Sequence, residues 1–335
     1  MRSSYKRIPK ITKFPPGKTD FSKITQFIQV EIDIPKVKVI LFFFLEYNTM
    51  KYNISFKGGG VKGFAYLGCL QYMEENMILS EIESVSGSSV GSVYAFMIAS
   101  KLSFIDIESI VYETNFSNII NKPSSILGYY RMFRHLIRCW SLYSNHNMKV
   151  CIKEIIIKST SNESITFEQL YEKTKVKLYI TGSNISSMKQ KMFSHTHSPQ
   201  MKILDAILIS CSLPLLLPPV HFEDCIYVDG GLFQNMPLVN WDDTRYKTIG
   251  FYLTNNYLNG TNRKRIYNFI SYMYHIIDAL VYQSSLRYIS LNCDERIVRI
   301  NIHECDKLFN ISGLTPSFIK QLSSIGYIAT KDYFE

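Results

Sequence analysis

Three short segments carry residue types suited to cutting an ester. The first is Gly87-Ser88-Ser89-Val90-Gly91, a serine with glycines two positions before and two after. Between a strand and a helix this spacing describes a nucleophile elbow. The turn is so tight that its central residue is strained, and the glycines leave room for the crossing chain. The Ser89 hydroxyl would then project at a helix N-terminus, where the dipole favours developing negative charge. A Gly/Ser loop without chemistry has the same composition, so the flanks matter. Residues 83–86 read as a strand. Val90, Val93, Tyr94, Met97 and Ile98 follow at i, i+3, i+4, i+7 and i+8, a helix face against a sheet.

The second segment is Gly58-Gly59-Gly60-Val61-Lys62-Gly63, again between a strand and a helix. Acyl transfer passes through a tetrahedral oxyanion that needs converging N–H donors. Consecutive glycines offer backbone N–H groups with no side chains in the way. A phosphate-binding loop is the rival reading, but Phe64 follows Gly63 and no Lys-Ser/Thr pair is present. A dinucleotide fingerprint matches loosely at Gly58, Gly60 and Gly63. The second strand, however, runs into the Ser89 turn and not into an acidic residue. The third segment, Asp229-Gly230-Gly231, follows the apolar run Cys225-Ile226-Tyr227-Val228. Alone, Asp-Gly is an ordinary turn pair.

The elements that must position these segments alternate in type. A strand over 52–56 precedes the glycines, and a helix carrying Phe64, Leu67, Leu70, Met73 and Met77 follows them. Further strands are expected over 177–181, 225–228, 248–253 and 296–300, with a long helix over 266–290 and a last helix from Pro316. Such alternation implies an α/β fold: a mostly parallel sheet covered by helices on both faces. Residues 1–50 look like an extension, basic, Pro-containing and without helical period. Met50 then opens a compact domain over 51–335.

The bulk numbers bound the function. The 335 residues are 46% hydrophobic, enough for a sizeable core, and the formal net charge of +9 favours anionic partners. The seven cysteines are odd in number, widely spaced and form no C-x-x-C, which argues against a disulfide framework or a zinc site and for a reducing compartment. The N-terminus lacks a secretory pattern, and the apolar run 39–45 is too short to span a bilayer. A cytoplasmic protein is expected, with any membrane contact peripheral. Over 129–140, Tyr130, Phe133, Ile137 and Trp140 share one helical face while Arg131, Arg134, His135 and Arg138 occupy another. That pattern suits an interfacial helix on anionic lipid, and equally a surface helix packing its apolar side on the core. The basic run Arg263-Lys264-Arg265 and the basic tail would add attraction to an anionic surface, or be simply solvated.

Taken together, the order GGGVKG, GSSVG and a distant DGG resembles the patatin-like phospholipase family. The stretch SCSLPLLLPPV, from Ser210, is similar to the Ser-x-x-x-Pro-x-x-x-Pro-Pro segment that precedes DGG in that family, and the closing LTPSFIKQLSSIGYIATKDYF resembles its last helix. The likeness covers about 52–334. It implies a patatin-like three-layer fold, with a catalytic core over 51–253 and a C-terminal helical part over 257–335. It also implies Ser89 as nucleophile, Asp229 as general base, and Gly59 and Gly60, with Gly58, as the oxyanion hole. Lys62 stands where the family has Arg or Lys, and Gly63, Gly87, Gly91, Gly230 and Gly231 complete the motifs. Departures are Lys57 before the glycines and Ser92 after Gly91, neither expected at the reacting atoms. The family uses a dyad, needs no cofactor or metal, and acts on phospholipids or other acyl lipids. On this reading His195 and His221 are structural or surface histidines. Two other readings stand beside it: a catalytically silent lipid-binding protein on the same fold, which has no chemical need for all three motifs, and a nucleic-acid binder, which lacks any RNA-binding signature.

Overall fold

The computed structural model describes residues 50–120, 123–239, 245–254, 266–289, 294–302 and 314–335, together with the backbone of 25–34 and 37–46. The chain divides into two compact units, Met1–Met50 and Lys51–Glu335. In the first, β1 (Thr25–Ile34) and β2 (Val37–Glu46) pair antiparallel from Thr25↔Glu46 to Ile34↔Val37. The sequence reading of a plain extension missed this ladder. Its cue is the alternation of Ile28, Val30, Ile32 and Ile34 with Gln29, Glu31 and Asp33. The basic tail and Arg263-Lys264-Arg265 lie outside the described residues.

In the second unit β3 (Lys51–Phe56), α1 (Ala65–Glu75), β4 (Ile82–Gly87), α2 (Val90–Ala99), α3 (Phe104–Glu113), α4 (Ile126–Cys139), α5 (His146–Thr160) and α6 (Phe167–Thr174) come first. They are followed by β5 (Lys177–Asn184), β6 (Lys189–Phe193), α7 (Ile203–Ser210), β7 (Val220–Phe222), β8 (Cys225–Asp229), β9 (Tyr246–Thr254), α8 (Phe269–Ile289), β10 (Ile297–Asn301) and α9 (Pro316–Phe334). The sheet runs β10-β9-β3-β4-β5-β8-β7, with β6 also on β5. Strands β10, β9, β3, β4 and β5 are mutually parallel, as the alternation of strands and helices requires. Helices flank the sheet, and the inner strands are buried nearly throughout: in β4 all but Glu83 are covered.

Local signals set the helix ends. Ser103 caps α3 in a reciprocal capping box with Asp106, and Thr166 does the same for α6 with Gln169. Thr315 accepts from the Phe318 N–H at the start of α9, where Pro316 occupies the first turn. Helix α9 then crosses α1 at a pair of glycines. A Cβ on Gly68 would overlap the Ser323 carbonyl, and one on Gly326 would overlap the Ala65 carbonyl. The backbones therefore meet directly, and the last helix is part of the core beneath the glycine loop.

Strands β4 and β8 are not parallel neighbours. Ile180 pairs with Gly87 of β4 on one side and with Phe193 of β6 on the other. Gly182 pairs with Lys191 of β6 and, opposite it, with Asp229 of β8. Strands β4 and β8 therefore share one edge of β5. They run in opposite directions and meet end to end, since β4 is parallel to β5 and β8 antiparallel. Their final residues are separated by two levels of β5, roughly 7 Å.

Candidate active site

The meeting point of β4 and β8 gathers the motif residues. Ser89 sits between β4 and α2 with φ 51° and ψ −128°, a left-sided conformation that costs a non-glycine residue about 1–3 kcal/mol. The surrounding hydrogen bonds hold it there. Its N–H donates to the Ser210 hydroxyl at 2.9 Å, and its carbonyl accepts from the Ser92 N–H at 2.8 Å and from the Ser92 hydroxyl at 2.6 Å. A Cβ on Gly87 would overlap the Gly91 carbonyl, and one on Gly91 would overlap the Phe56 carbonyl. Only glycine at both positions lets the turn close.

Asp229 ends β8 and is 3% exposed. Its Oδ1 accepts from the Gly231 N–H at 2.7 Å, its own N–H donates to the Ser212 carbonyl at 2.8 Å, and the Ser183 hydroxyl donates to its carbonyl at 2.8 Å. Burial raises the carboxyl to about 7, and the Gly231 N–H bond and then the neighbouring Ser89 hydroxyl restrain the rise. Ser89 and Asp229 line one pocket, although they are far apart in sequence. Gly230 is packed against Thr181, leaving no room for a side chain.

The glycine loop closes over this pair. Gly58 packs against Ser89: a Cβ there would stand 3.1 Å from the Ser89 Cβ. Its N–H, however, donates to the Asn235 carbonyl at 3.0 Å and is taken up by that bond. Gly59 caps a 3-10 turn over Gly60–Phe64, and N–H groups at a helix start have no partner within the helix. Gly60 has φ 56°, a conformation that glycine adopts freely. Gly63 packs directly on Val90 at the start of α2, and Lys62 is buried.

Sequence reasoning missed several supports. Asn235 holds the loop through its carbonyl while its side-chain amide donates to Ser285 of α8 at 3.0 Å, and Ser284 donates to the Gly231 carbonyl at 2.7 Å. Helix α8 thereby clamps the aspartate turn. No motif announces these residues; only Ser210 lay inside a segment singled out for its pattern. Lys57, read as a neutral departure, lines the same pocket as Ser89 and Asp229. His221 is exposed on β7, and His195 stacks on Tyr171 with ring centroids 4.0 Å apart, as fits structural or surface histidines.

The pocket extends from Ser89 along an apolar wall that includes Val93, Met97, Phe116, Ile119, Ile152 and Ile155. Among the described residues, no group of three His, Cys, Asp or Glu side chains is placed to hold a metal ion, and no helix is long and apolar enough to cross a membrane. Helix α4 has no buried residue. Phe133, Ile137 and Trp140, just past its end, are 59%, 62% and 61% exposed. The expected apolar face therefore looks outward, and Met132, Leu136 and Cys139 form the half-buried side.

A serine on a strained strand-to-helix turn, a buried aspartate and a glycine loop thus share one pocket. The chain belongs to the patatin-like phospholipase family, whose model matches residues 54–240. It is 32% identical over 257 residues to the uncharacterized protein R571 of Acanthamoeba polyphaga mimivirus, covering 75% of this chain and 83% of that protein. It is 26% identical over 183 residues to the probable lipid hydrolase 463L of Invertebrate iridescent virus 6, covering 54% of this chain and 60% of that one. The fold is similar to the crystal structure of VipD from Legionella pneumophila, with a TM-score of 0.51 at 14% identity, over 94% of this chain and 71% of that chain.

Proposed function

We propose that this chain is a carboxylic ester hydrolase of the phospholipase A or lysophospholipase type, working through a Ser89–Asp229 dyad and an acyl-enzyme. The observation that carries this reading is that Ser89, just past the end of β4, and the buried Asp229, at the facing end of β8, line one pocket beside the glycine loop. Asp229 takes the hydroxyl proton as Ser89 Oγ attacks the acyl carbon. The N–H groups of Gly59 and Gly60 hold the oxyanion that forms. Collapse expels the alcohol, which receives the proton from Asp229, and leaves the acyl group on Ser89. Water then attacks the acyl-enzyme, Asp229 takes its proton, and the fatty acid departs with Ser89 restored. A carboxyl raised to about 7 is a stronger base than an ordinary aspartate and still ionises near neutral pH, so no histidine is needed.

The apolar wall suits an acyl chain, and α4 suits peripheral contact with a membrane that supplies the lipid. The domain doing this work is 51–335, with the catalytic core over 51–253 and the helical part over 257–335 supporting it. The test is product analysis by mass spectrometry after incubation with mixed phospholipid vesicles, alongside labelling with a fluorophosphonate probe. Free fatty acid and lysophospholipid should appear with the unaltered protein and not with Ser89→Ala, and the probe should attach to Ser89. Undiminished release by Ser89→Ala, or labelling at Ser88, would overturn the assignment.

A further inference from the structure

The Ser89 N–H takes its acceptor from outside its own turn. It donates at 2.9 Å to the hydroxyl of Ser210, the last residue of α7 and 121 positions further along the chain. Two residues on, the Ser212 carbonyl accepts the Asp229 N–H at 2.8 Å. One short segment at the end of α7 therefore bonds to the backbone of both Ser89 and Asp229. The segment is itself held in place. The Cys211 N–H donates to the Ile207 carbonyl at 2.9 Å, the Ser212 N–H to the Ile209 carbonyl at 3.1 Å, and the Ser212 hydroxyl to the Leu208 carbonyl at 2.7 Å. Ser210 and Ser212 are both 0% exposed. Helix α7 also lies close on β5 at the level that pairs with Asp229: a Cβ on Gly182 would stand 2.7 Å from the Ile209 Cγ2.

The strands alone do not set Ser89 against Asp229, because β4 and β8 pair with different levels of β5. Ser89 lies beyond Gly87, the last paired residue of β4, at a φ of 51° that a serine holds only when its surroundings impose it. Without the Ser210 acceptor the Ser89 N–H is left unpaired. Rotation of the Ser88–Ser89 peptide then relieves the strain and carries Oγ away from Asp229. We propose that Ser210 is a positioning residue for Ser89, and that residues 210–212 form the strut that sets the nucleophile against the base. The inference rests on the ester-hydrolase reading for its chemistry, and its geometry is testable without turnover.

The test compares the full chain with Ser210→Ala and Ser210→Thr on a soluble chromogenic ester, with sites counted by fluorophosphonate labelling carried to completion. Per labelled site, kcat should fall about ten- to hundredfold in Ser210→Ala while KM stays nearly constant, and the rate of labelling should fall with kcat. Ser210→Thr keeps the hydroxyl and should retain most of kcat. Thr174→Val is the control for a merely structural loss. Thr174 is 4% exposed on α6, away from the pocket, and its hydroxyl accepts the Val176 N–H at 3.3 Å. That variant should melt lower and keep kcat per site. Undiminished kcat in Ser210→Ala, or an equal loss in Thr174→Val, would overturn the role. Should Ser210→Ala not fold, the comparison is made with Ser210→Cys, which is close in shape but a weak acceptor. Crystal structures of the unaltered protein and of the folded variant give the second readout: the Ser89 φ should leave the positive range when the acceptor is lost, and an unmoved Ser89 would overturn the strut. Absence of both labelling and turnover in the unaltered protein counts against the hydrolase reading alone, and the position of Ser89 then decides the strut.

Discussion

Gly58 donates its backbone N–H to the Asn235 carbonyl at 3.0 Å, a bond that ties the glycine loop to the segment following the aspartate turn. That bond removes one candidate donor and fixes the loop at the same time. The two glycines after it stand at a helix start, where N–H groups point outward without intrahelical partners.

The oxyanion reading therefore rests on Gly59 and Gly60, and Gly60→Ala is its sharpest test. The φ of 56° means a side chain there costs about 1–2 kcal/mol of stability and shifts the amide. Losing one donor at a tetrahedral intermediate costs about 3 kcal/mol, roughly a hundredfold in rate. Turnover of a soluble ester should fall by that order while the melting transition stays cooperative. Wild-type turnover in Gly60→Ala would show that the loop does not hold the oxyanion.

The base predicts a pH dependence whose sign is fixed. Asp229 must be ionised to accept a proton, and burial raises its carboxyl to about 7. The rate on a neutral soluble ester should climb as pH rises through about 7 and level off above it, with Asp229→Asn nearly inactive at every pH. An active Asp229→Asn variant would sink the dyad.

The same group sets a stability trend. Its folded value of about 7 lies above the unfolded 3.8, so the stability it contributes is full below 3.8 and is lost as pH rises through 7. An ionised carboxylate buried at pH 8 destabilises the fold. Asp229→Asn keeps the shape and an acceptor for the Gly231 N–H, so it should melt higher than the unaltered protein at pH 8. The gap should narrow toward pH 4. Thermal melts at several pH values decide this, and a lower melting point for Asp229→Asn at pH 8 would contradict it.

A separate variant tests for a histidine base. His221 is exposed and His195 stacks on Tyr171, so His195→Gln with His221→Gln should keep most ester hydrolysis. Loss of turnover in that double variant with normal melting would require a different base.

Much of this site was legible in the sequence because its chemistry demands rare local patterns. The glycines at 87 and 91 are dictated by atoms that would otherwise collide, and the helix after Ser89 shows its period openly. The direction of β8 was not legible. A strand's direction follows from its connection, and β7 joins β8 through Glu223 and Asp224, both at positive φ (47° and 56°). A two-residue hairpin turn needs that geometry, but it is ordinarily announced by Asn-Gly or Asp-Gly, not Glu-Asp. The supports from α8 were hidden for another reason. Ser284, Ser285 and Asn235 are ordinary polar residues whose role exists only once the chain folds. Lys57 was hidden because a lysine is nearly always a surface residue, and only burial makes it informative.

The outward face of α4 yields the last prediction. Tyr130, Phe133, Ile137 and Trp140 are all more than half exposed, a concentration of apolar surface that an aqueous protein rarely leaves uncovered. Exposed Arg131, Arg134 and Arg138 flank this stripe. The segment just past the helix is tied to the pocket: the Leu142 and Tyr143 N–H groups donate to the Leu215 and Leu216 carbonyls at 2.7 and 3.0 Å, and Leu216 lines the pocket. A helix that inserts its apolar stripe into a bilayer would thus bring the pocket to the lipid. Binding to vesicles should rise with the fraction of anionic lipid and fall with salt, because the arginines supply part of the attraction. Replacing Arg131, Arg134 and Arg138 with Gln should flatten the salt dependence. Replacing Phe133, Ile137 and Trp140 with Ser should weaken binding at every salt concentration, since the apolar contribution is not screened. Neither set touches Ser89 or Asp229, so both should lose far more vesicle hydrolysis than soluble-ester hydrolysis. Equal losses in the two assays would instead assign α4 to the stability of the domain.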